Sequence, residues 1–215
     1  MTDPNNRSNE RTTLLKAIRD EVRNLEGSPL YAYRTQNKYY PVLGEGSHYA
    51  EIMFIGEAPG RNEAMTGRPF CGAAGKILDE LLESVELKRS DVYITNILKD
   101  RPPENRDPSP GEITVYSPFL DRQIEIIKPK IIATLGRYSM GYIMDKFGLG
   151  HELKPISQIH GKIFEKEGSY GLIKIIPLYH PAAAIYNRTT LDALKKDFEV
   201  LKNVINEKPD SSEKS

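Results

Sequence analysis

Ile52-Met53-Phe54-Ile55 runs into Gly56-Glu57-Ala58-Pro59-Gly60, and Thr66-Gly67-Arg68-Pro69-Phe70 follows within the same loop region. A short, wholly apolar stretch closed by glycine and proline reads as a strand buried on both faces, with a loop opening at its carboxyl end. The pattern recurs far along the chain, where Ile173-Lys174-Ile175-Ile176-Pro177-Leu178 leads to His180-Pro181-Ala182-Ala183. Open α/β folds bind ligands outside the carboxyl ends of their strands, so both loops are expected at one edge and in one site.

Working outward, Val92-Tyr93-Ile94-Thr95 predicts a strand that delivers Asn96 to the same edge, and Lys130-Ile131-Ile132-Ala133-Thr134-Leu135 predicts another that ends at Gly136. Gly161 to Phe164 and Leu172 to Ile176 pattern as a hairpin whose second arm is the fourth core strand. Helices are expected between the strands: one from near Gly72 with Ile77, Leu78, Leu81, Leu82 and Val85 in phase, one from Pro110 to Ile127, one from Tyr138 to Phe147, and one from Thr190 to Asn206. This alternation argues an α/β fold with a parallel sheet covered on both faces. Ahead of it, Leu14, Leu15, Ile18, Val22 and Leu25 predict an amphipathic helix over Arg11 to Leu25, ended by Gly27-Ser28-Pro29. The tyrosine-rich stretch from Tyr31 to Tyr40 reads as irregular.

At 215 residues the chain suits one domain over 10–206, with polar tails expected at 1–9 and 207–215. A hydrophobic share of 39% beside 28% charged residues fits a soluble globular protein. No apolar stretch approaches the roughly 18 to 20 residues that span a bilayer. With no leader visible at the start, the expectation is a cytoplasmic monomer without a membrane role. Zero formal net charge leaves a polyanionic partner open, because local clustering controls steering. The single cysteine, Cys71, cannot pair internally or hold a zinc or iron–sulfur centre alone; a packing role is preferred over a nucleophilic one.

Glycines in the loop Gly56 to Phe70 admit close backbone approach, and the helix beginning at Gly72-Ala73-Ala74-Gly75 offers unpaired N–H groups to an anion. A nucleotide-hydrolase phosphate loop fails the required spacing, since Phe70 stands where its first glycine belongs and Ile77 replaces the metal-binding hydroxyl residue. Phe70 offers a stacking face, though an ordinary core phenylalanine fits the same pattern. Asn96 at a strand end can offer an amide oxygen and an amide NH₂ to a ring edge, or simply cap a turn. Lys99, Arg101 and Arg106 alternate with prolines in a loop that cannot collapse into helix, which suits phosphate contacts, although Asp100, Glu104 and Asp107 dilute the charge.

Taken together, Gly56-Glu57-Ala58-Pro59-Gly60, Thr66-Gly67-Arg68-Pro69-Phe70, Tyr93-Ile94-Thr95-Asn96, Arg101-Pro102-Pro103 with Asn105-Arg106, and His180-Pro181-Ala182 resemble, in order and spacing, the family-4 uracil-DNA glycosylases. The resemblance covers roughly residues 28 to 203. It implies a three-layer α/β/α sandwich around a four-stranded parallel sheet, and an enzyme that flips deoxyuridine out of DNA and hydrolyses its N-glycosidic bond. A flipped base is held by stacking and by hydrogen bonds to its edge. On this reading Phe70 stacks on uracil, Asn96 reads its N3–H and O4, and His180 donates to the charge developing on O2. Glu57 positions water or steadies the sugar cation, while Ala58 stands where the family-1 enzymes carry their water-activating aspartate. Glu63 closes the pocket near the C5 edge. Ile185 and Tyr186 are placed to fill the vacated stack, with Arg188 on a phosphate. A binder of uracil-containing DNA without turnover, or a glycosylase with broader deaminated-base specificity, is the alternative.

The resemblance breaks at the cofactor. Family-4 enzymes typically hold a four-iron four-sulfur cluster on four cysteines, whereas Pro29, Ala32, Asp100 and Tyr116 stand at those positions here. No cluster is therefore expected, and its stapling of the N-terminal segment to the loop around residue 100 is expected to pass to aromatic packing by Tyr31, Tyr33, Tyr39, Tyr40, Tyr116 and Phe119.

Overall fold

The structure, a computed structural model, describes residues 4–206, with side chains from residue 10 onward. Its strands are β1 (Glu45–Gly46), β2 (Ile52–Gly56), β3 (Tyr93–Asn96), β4 (Ile131–Leu135), β5 (Phe164–Gly168) and β6 (Gly171–Leu178). They form one six-stranded sheet in the order β1-β3-β2-β4-β6-β5. The four parallel strands at its centre are those read from the sequence, and β1 and β5 add a short antiparallel strand at each edge. The expected hairpin forms, but its first arm is β5 at Phe164–Gly168 and not Gly161 to Phe164, because a mostly solvent-facing, charged strand leaves no apolar run to place it; β1, with two residues, leaves none either.

The eight helices among the described residues are α1 (Pro4–Arg23), α2 (Tyr31–Gln36), α3 (Arg61–Thr66), α4 (Ala73–Ser84), α5 (Pro110–Ile127), α6 (Arg137–Lys146), α7 (Ile156–Ile159) and α8 (Arg188–Asn206). Successive strand residues point to opposite faces, which divides the interior in two. On one side Met53, Ile55, Ile132 and Ile175 pack with Ile18 and Val22 of α1, Tyr116 and Leu120 of α5, and Ile143 of α6. On the other, Phe54, Ile94 and Ile176 pack with Leu78 and Leu82 of α4 and with Leu194, Phe198 and Leu201 of α8. The rings of Phe54 and Phe198 stack with centroids 5.7 Å apart.

Two expectations are corrected. Helix α1 begins at Pro4, so residues 4–9 continue it instead of forming a tail; extending a formed helix fixes one residue per added hydrogen bond and avoids a new nucleus. Residues 1–3 and 207–215 lie outside the described residues. The segment from Tyr31 is not wholly irregular either, since its first six residues form α2. Helix α5 starts where its sequence says it should: Ser109 and Glu112 form a reciprocal capping box and Pro110 occupies the first turn.

Candidate active site

Register places the first two site residues. Gly56 of β2 and Asn96 of β3 are paired neighbours at the carboxyl edge, and His180 follows two residues beyond Leu178, which pairs with Leu135 of β4. Strand β2 lies between β3 and β4, where the chain reverses its direction of travel across the sheet. That is the switch point at which α/β sheets open a crevice.

The crevice is a cleft of about 330 Å³ whose wall includes Glu57, Ala58, Glu63, Phe70, Asn96 and His180. The groups expected to converge do so. Phe70 is nearly buried, and its ring centroid lies 5.6 Å from that of His180 in a stacked arrangement. It adopts a left-handed backbone with φ 46°, a conformation costly for a bulky residue and concentrated at functional sites. Two glycines make room for it. A Cβ on Gly56 would strike the Phe70 ring and the Asn96 side chain, and one on Gly75 would strike the Phe70 carbonyl.

Asn96 is 2% exposed, and its Oδ1 is buried without a hydrogen-bond partner. An orphaned buried acceptor costs about 1–3 kcal/mol, so it is kept where a ligand donor can meet it. His180 has its Nδ1 engaged by the Ala182 N–H at 3.1 Å, and burial lowers its pKa to about 4, against a smaller upward pull from Glu63. The imidazole is thus neutral near pH 7 with its proton on Nε2. Burial raises the Glu57 carboxyl to about 7; repulsion from Asp107 adds to this and Arg137 opposes it.

Other expected residues are placed differently. Glu63 lines the cleft, but its Oε1 accepts from the backbone N–H groups of Cys71 and Gly72, each at 2.9 Å. The anion expected at the start of α4 is the chain's own carboxylate. Cys71 is half-buried, with Sγ 3.3 Å from the Thr66 hydroxyl.

Lys99 is not available to DNA. It is fully buried, and its Nζ donates to Asn96 O, Gln123 Oε1 and Thr95 Oγ1 at 2.6, 2.6 and 2.9 Å. Arg101 is only 9% exposed and donates to Asn105 Oδ1 and to the hydroxyls of Tyr33 and Tyr39. Lys99 turns inward onto the end of β3 and Gln123 of α5, and Arg101 onto the tyrosine-rich segment, which local charge patterning cannot reveal. Arg106 reaches the cleft wall while gripping Glu112 with both terminal nitrogens. Ile185 is half-buried, Arg188 is exposed at the start of α8, and Tyr186 stands 98% exposed beyond the His180 turn. Asn105 and Pro102 also line the cleft, and neither is among the residues expected there from sequence. Their place in the Arg101-Pro102-Pro103 and Asn105-Arg106 motifs was the available signal.

A family profile described as the Uracil DNA glycosylase superfamily matches residues 43–206. The chain belongs to this superfamily. It is 47% identical to the type-4 uracil-DNA glycosylase of Saccharolobus solfataricus over 91% of this chain and 88% of that protein. Identity is 46% to the type-4 uracil-DNA glycosylase of Sulfurisphaera tokodaii, over 88% of this chain and 84% of the relative. The type-4 uracil-DNA glycosylase of Archaeoglobus fulgidus is also 46% identical, over 78% of this chain and 82% of its own length.

Type-4 glycosylases are normally iron–sulfur enzymes, and the residues that the resemblance puts at the cluster positions do not have the chemistry of a four-cysteine site. Pro29 and Ala32 carry no ligand atom in their side chains, and the chain's single cysteine is Cys71, on the loop ahead of α4. Asp100 and Tyr116 are already committed to each other. The Tyr116 hydroxyl donates to Asp100 Oδ2 at 2.6 Å and also meets Ser28 Oγ. Arg34 donates to both Asp100 oxygens at 3.2 and 3.1 Å, and to the carbonyls of Val22 and Arg23 at the end of α1. Burial raises the Asp100 carboxyl above its ordinary pKa, opposed by Tyr116 and Arg34. The expectation that aromatic packing ties this corner is corrected: a buried ion pair with two hydroxyls does so. Tyr33 and Tyr39 contribute through the Arg101 guanidinium, while Tyr40 is 56% exposed.

Proposed function

We propose that the protein excises uracil from DNA as a repair glycosylase, and that the cleft is where the flipped nucleotide is cleaved. The observation that carries this reading is the orphaned Asn96 Oδ1 beside Phe70 and the neutral imidazole of His180. Uracil presents a donor at N3 and an acceptor at O4, which an asparagine amide can satisfy, whereas cytosine reverses both. Phe70 supplies the face on which the extruded ring stacks, an interaction worth about 1–3 kcal/mol per base.

Cleavage leaves the electron pair of the N-glycosidic bond on uracil and positive charge on the sugar. His180 Nε2–H donates to the charge growing on O2, acting as a hydrogen-bond donor without surrendering its proton. Glu57, ionised above about pH 7, faces the sugar cation or orients the water that adds to C1′, and the proton this water releases balances the uracil anion through solvent. Tyr186, Ile185, Arg188 and Arg106 remain proposed DNA contacts, with Tyr186 the most accessible wedge. Monomeric, cytoplasmic action on DNA belongs to the same proposal. No helix of the described residues is long and apolar enough to cross a membrane.

We also infer that the domain needs no iron–sulfur cluster, the Arg34–Asp100–Tyr116 cluster taking over the tie between α1, α2 and the loop after β3. Purified protein is expected to be colourless and iron-free by elemental analysis while remaining active; stoichiometric iron required for activity would refute it.

The activity test is abasic-site formation on an oligonucleotide carrying one uracil, under excess substrate. Many turnovers are expected, and a plateau at one product per protein would instead indicate a binder. Asn96→Asp is expected to lose most uracil excision and to gain relative acceptance of cytosine. Unchanged rates on both would remove Asn96 from recognition.

A further inference from the structure

Lys99 is a fully buried lysine that base excision does not use. All three hydrogen-bond partners of its Nζ are neutral oxygens, Asn96 O, Gln123 Oε1 and Thr95 Oγ1. Three donors meet three acceptors, so the ammonium is fully engaged without an ion pair to hold it. Burial alone drives its pKa well below the ordinary lysine value. Placing lysine in such a spot is expensive compared with an apolar side chain, which makes its role specific.

Its partners are themselves fixed. Thr95 Oγ1 donates to Leu43 O at 2.6 Å, and Gln123 Nε2 donates to the same carbonyl at 2.8 Å and to the Tyr93 hydroxyl at 3.1 Å. The short segment that Lys99 closes is also pinned to the adjacent end of β2. Ile97 N–H donates to Gly56 O and Leu98 N–H to Glu57 O, both at 3.0 Å, while Lys99's own carbonyl accepts from Val42 N–H at 2.7 Å. The turn from Asn96 to Lys99 therefore joins the base-reading amide to the backbone of Glu57, and the ammonium sits under its first carbonyl.

We propose that Lys99 is a positioning residue for uracil recognition: its ammonium clamps the Asn96 main chain to the Thr95–Gln123–Leu43 network and so fixes the direction in which the Asn96 amide meets the base. The proposal rests on Asn96 being the uracil-reading group. It differs from a DNA-contact role in that Lys99 touches neither phosphate nor base. Misplacement of a reacting or reading group by about 1 Å can lower a rate on the order of 100-fold, which sets the scale expected here.

The test is a double-mutant cycle read by single-turnover excision from a uracil oligonucleotide, alongside binding of the same oligonucleotide with a stable abasic analogue. Lys99→Met is expected to slow excision roughly 10- to 100-fold while abasic-DNA affinity stays within about 2-fold. In an Asn96→Ala background the same change is expected to have little further effect, because the clamp then holds nothing that reads the base. An equal loss in both backgrounds, or a matched loss of abasic-DNA binding, would overturn the proposal in favour of a general structural role. If Asn96→Ala alone leaves excision intact, the reading of Asn96 fails, and that outcome is distinct from failure of the clamp. Should Lys99→Met not fold, Thr95→Val removes one of the three acceptors with little change of shape. It is expected to slow excision roughly 3- to 10-fold, again only when Asn96 is present.

Discussion

The cleft and the Arg34–Asp100–Tyr116 corner are both polar clusters set in apolar surroundings, linked by the segment from Asn96 to Arg106, yet they obey opposite rules. At the corner, both oxygens of Asp100 receive donors, and Arg34 also caps the last carbonyls of α1. In the cleft, an amide oxygen is left without a partner, an imidazole is kept neutral, and a carboxyl is held near half-ionisation. Satisfied polar groups hold structure; unsatisfied ones wait for a substrate. The two clusters are a few residues apart in sequence, so the distinction is made by partners and not by residue type.

That contrast can be broken in either direction. Removing Arg34 leaves a buried carboxylate without its cation and takes a side-chain donor from the helix-end carbonyls of Val22 and Arg23, and breaking a buried pair in this way costs about 3–5 kcal/mol. Arg34→Met is therefore expected to lower unfolding stability by that amount in denaturant titrations, while excision per folded molecule stays within a few-fold. His180→Ala is expected to behave in reverse. Loss of one preorganised donor to a developing oxyanion lowers rates about 10²- to 10³-fold, equivalent to about 2.7–4 kcal/mol of transition-state stabilisation. Its unfolding midpoint is expected to remain close to that of the parent. If Arg34→Met slowed excision without loss of stability, or His180→Ala unfolded the protein without slowing it, the division between tie and site would fail.

How far the sequence announces these two regions follows from the same physics. The four core strands and the helices α4, α5, α6 and α8 are legible because apolar runs and 3.6-residue stripes record which faces are buried. Glu57, Phe70, Asn96 and His180 are legible because each follows a buried strand or a glycine turn at one sheet edge. Lys99 and Arg101 mislead for a definite reason. A cation in a proline-rich loop looks solvent-facing, and only the fold shows that Thr95, Gln123, Tyr33 and Tyr39 surround it with oxygen. The corner is half legible: the resemblance draws attention to Asp100 and Tyr116, but Arg34 and Ser28, which complete the tie, meet them only across long sequence separations.

The smallest expected effect lies between the two regions, at Asp107. This exposed carboxylate pairs with Arg137 at 2.6 Å and faces Glu57, whose carboxyl it helps push up from 4.5 to about 7 after the larger contribution of burial. Where ionised Glu57 serves the sugar cation, excision rises with pH through about 7 and then levels. Asp107→Asn removes a repulsion and also frees Arg137, which already pulls Glu57 downward. Both changes favour the carboxylate, so the acid limb of the pH–rate profile is expected to move to lower pH. The gain is expected to be under about 10-fold near pH 6 and absent on the plateau, since surface charges act through solvent and salt screening. The same linkage has a sign for stability. A carboxyl that gains pKa on folding favours the fold at low pH, and that contribution is lost as pH rises from the unfolded value towards about 7. Asp107→Asn is thus expected to flatten the decline in stability across that window, and Glu57→Gln to remove Glu57's share of it along with the acid limb. An acid limb that stays in place in Asp107→Asn and persists in Glu57→Gln would assign the titration to another group and leave Glu57 outside the chemistry of the cleft.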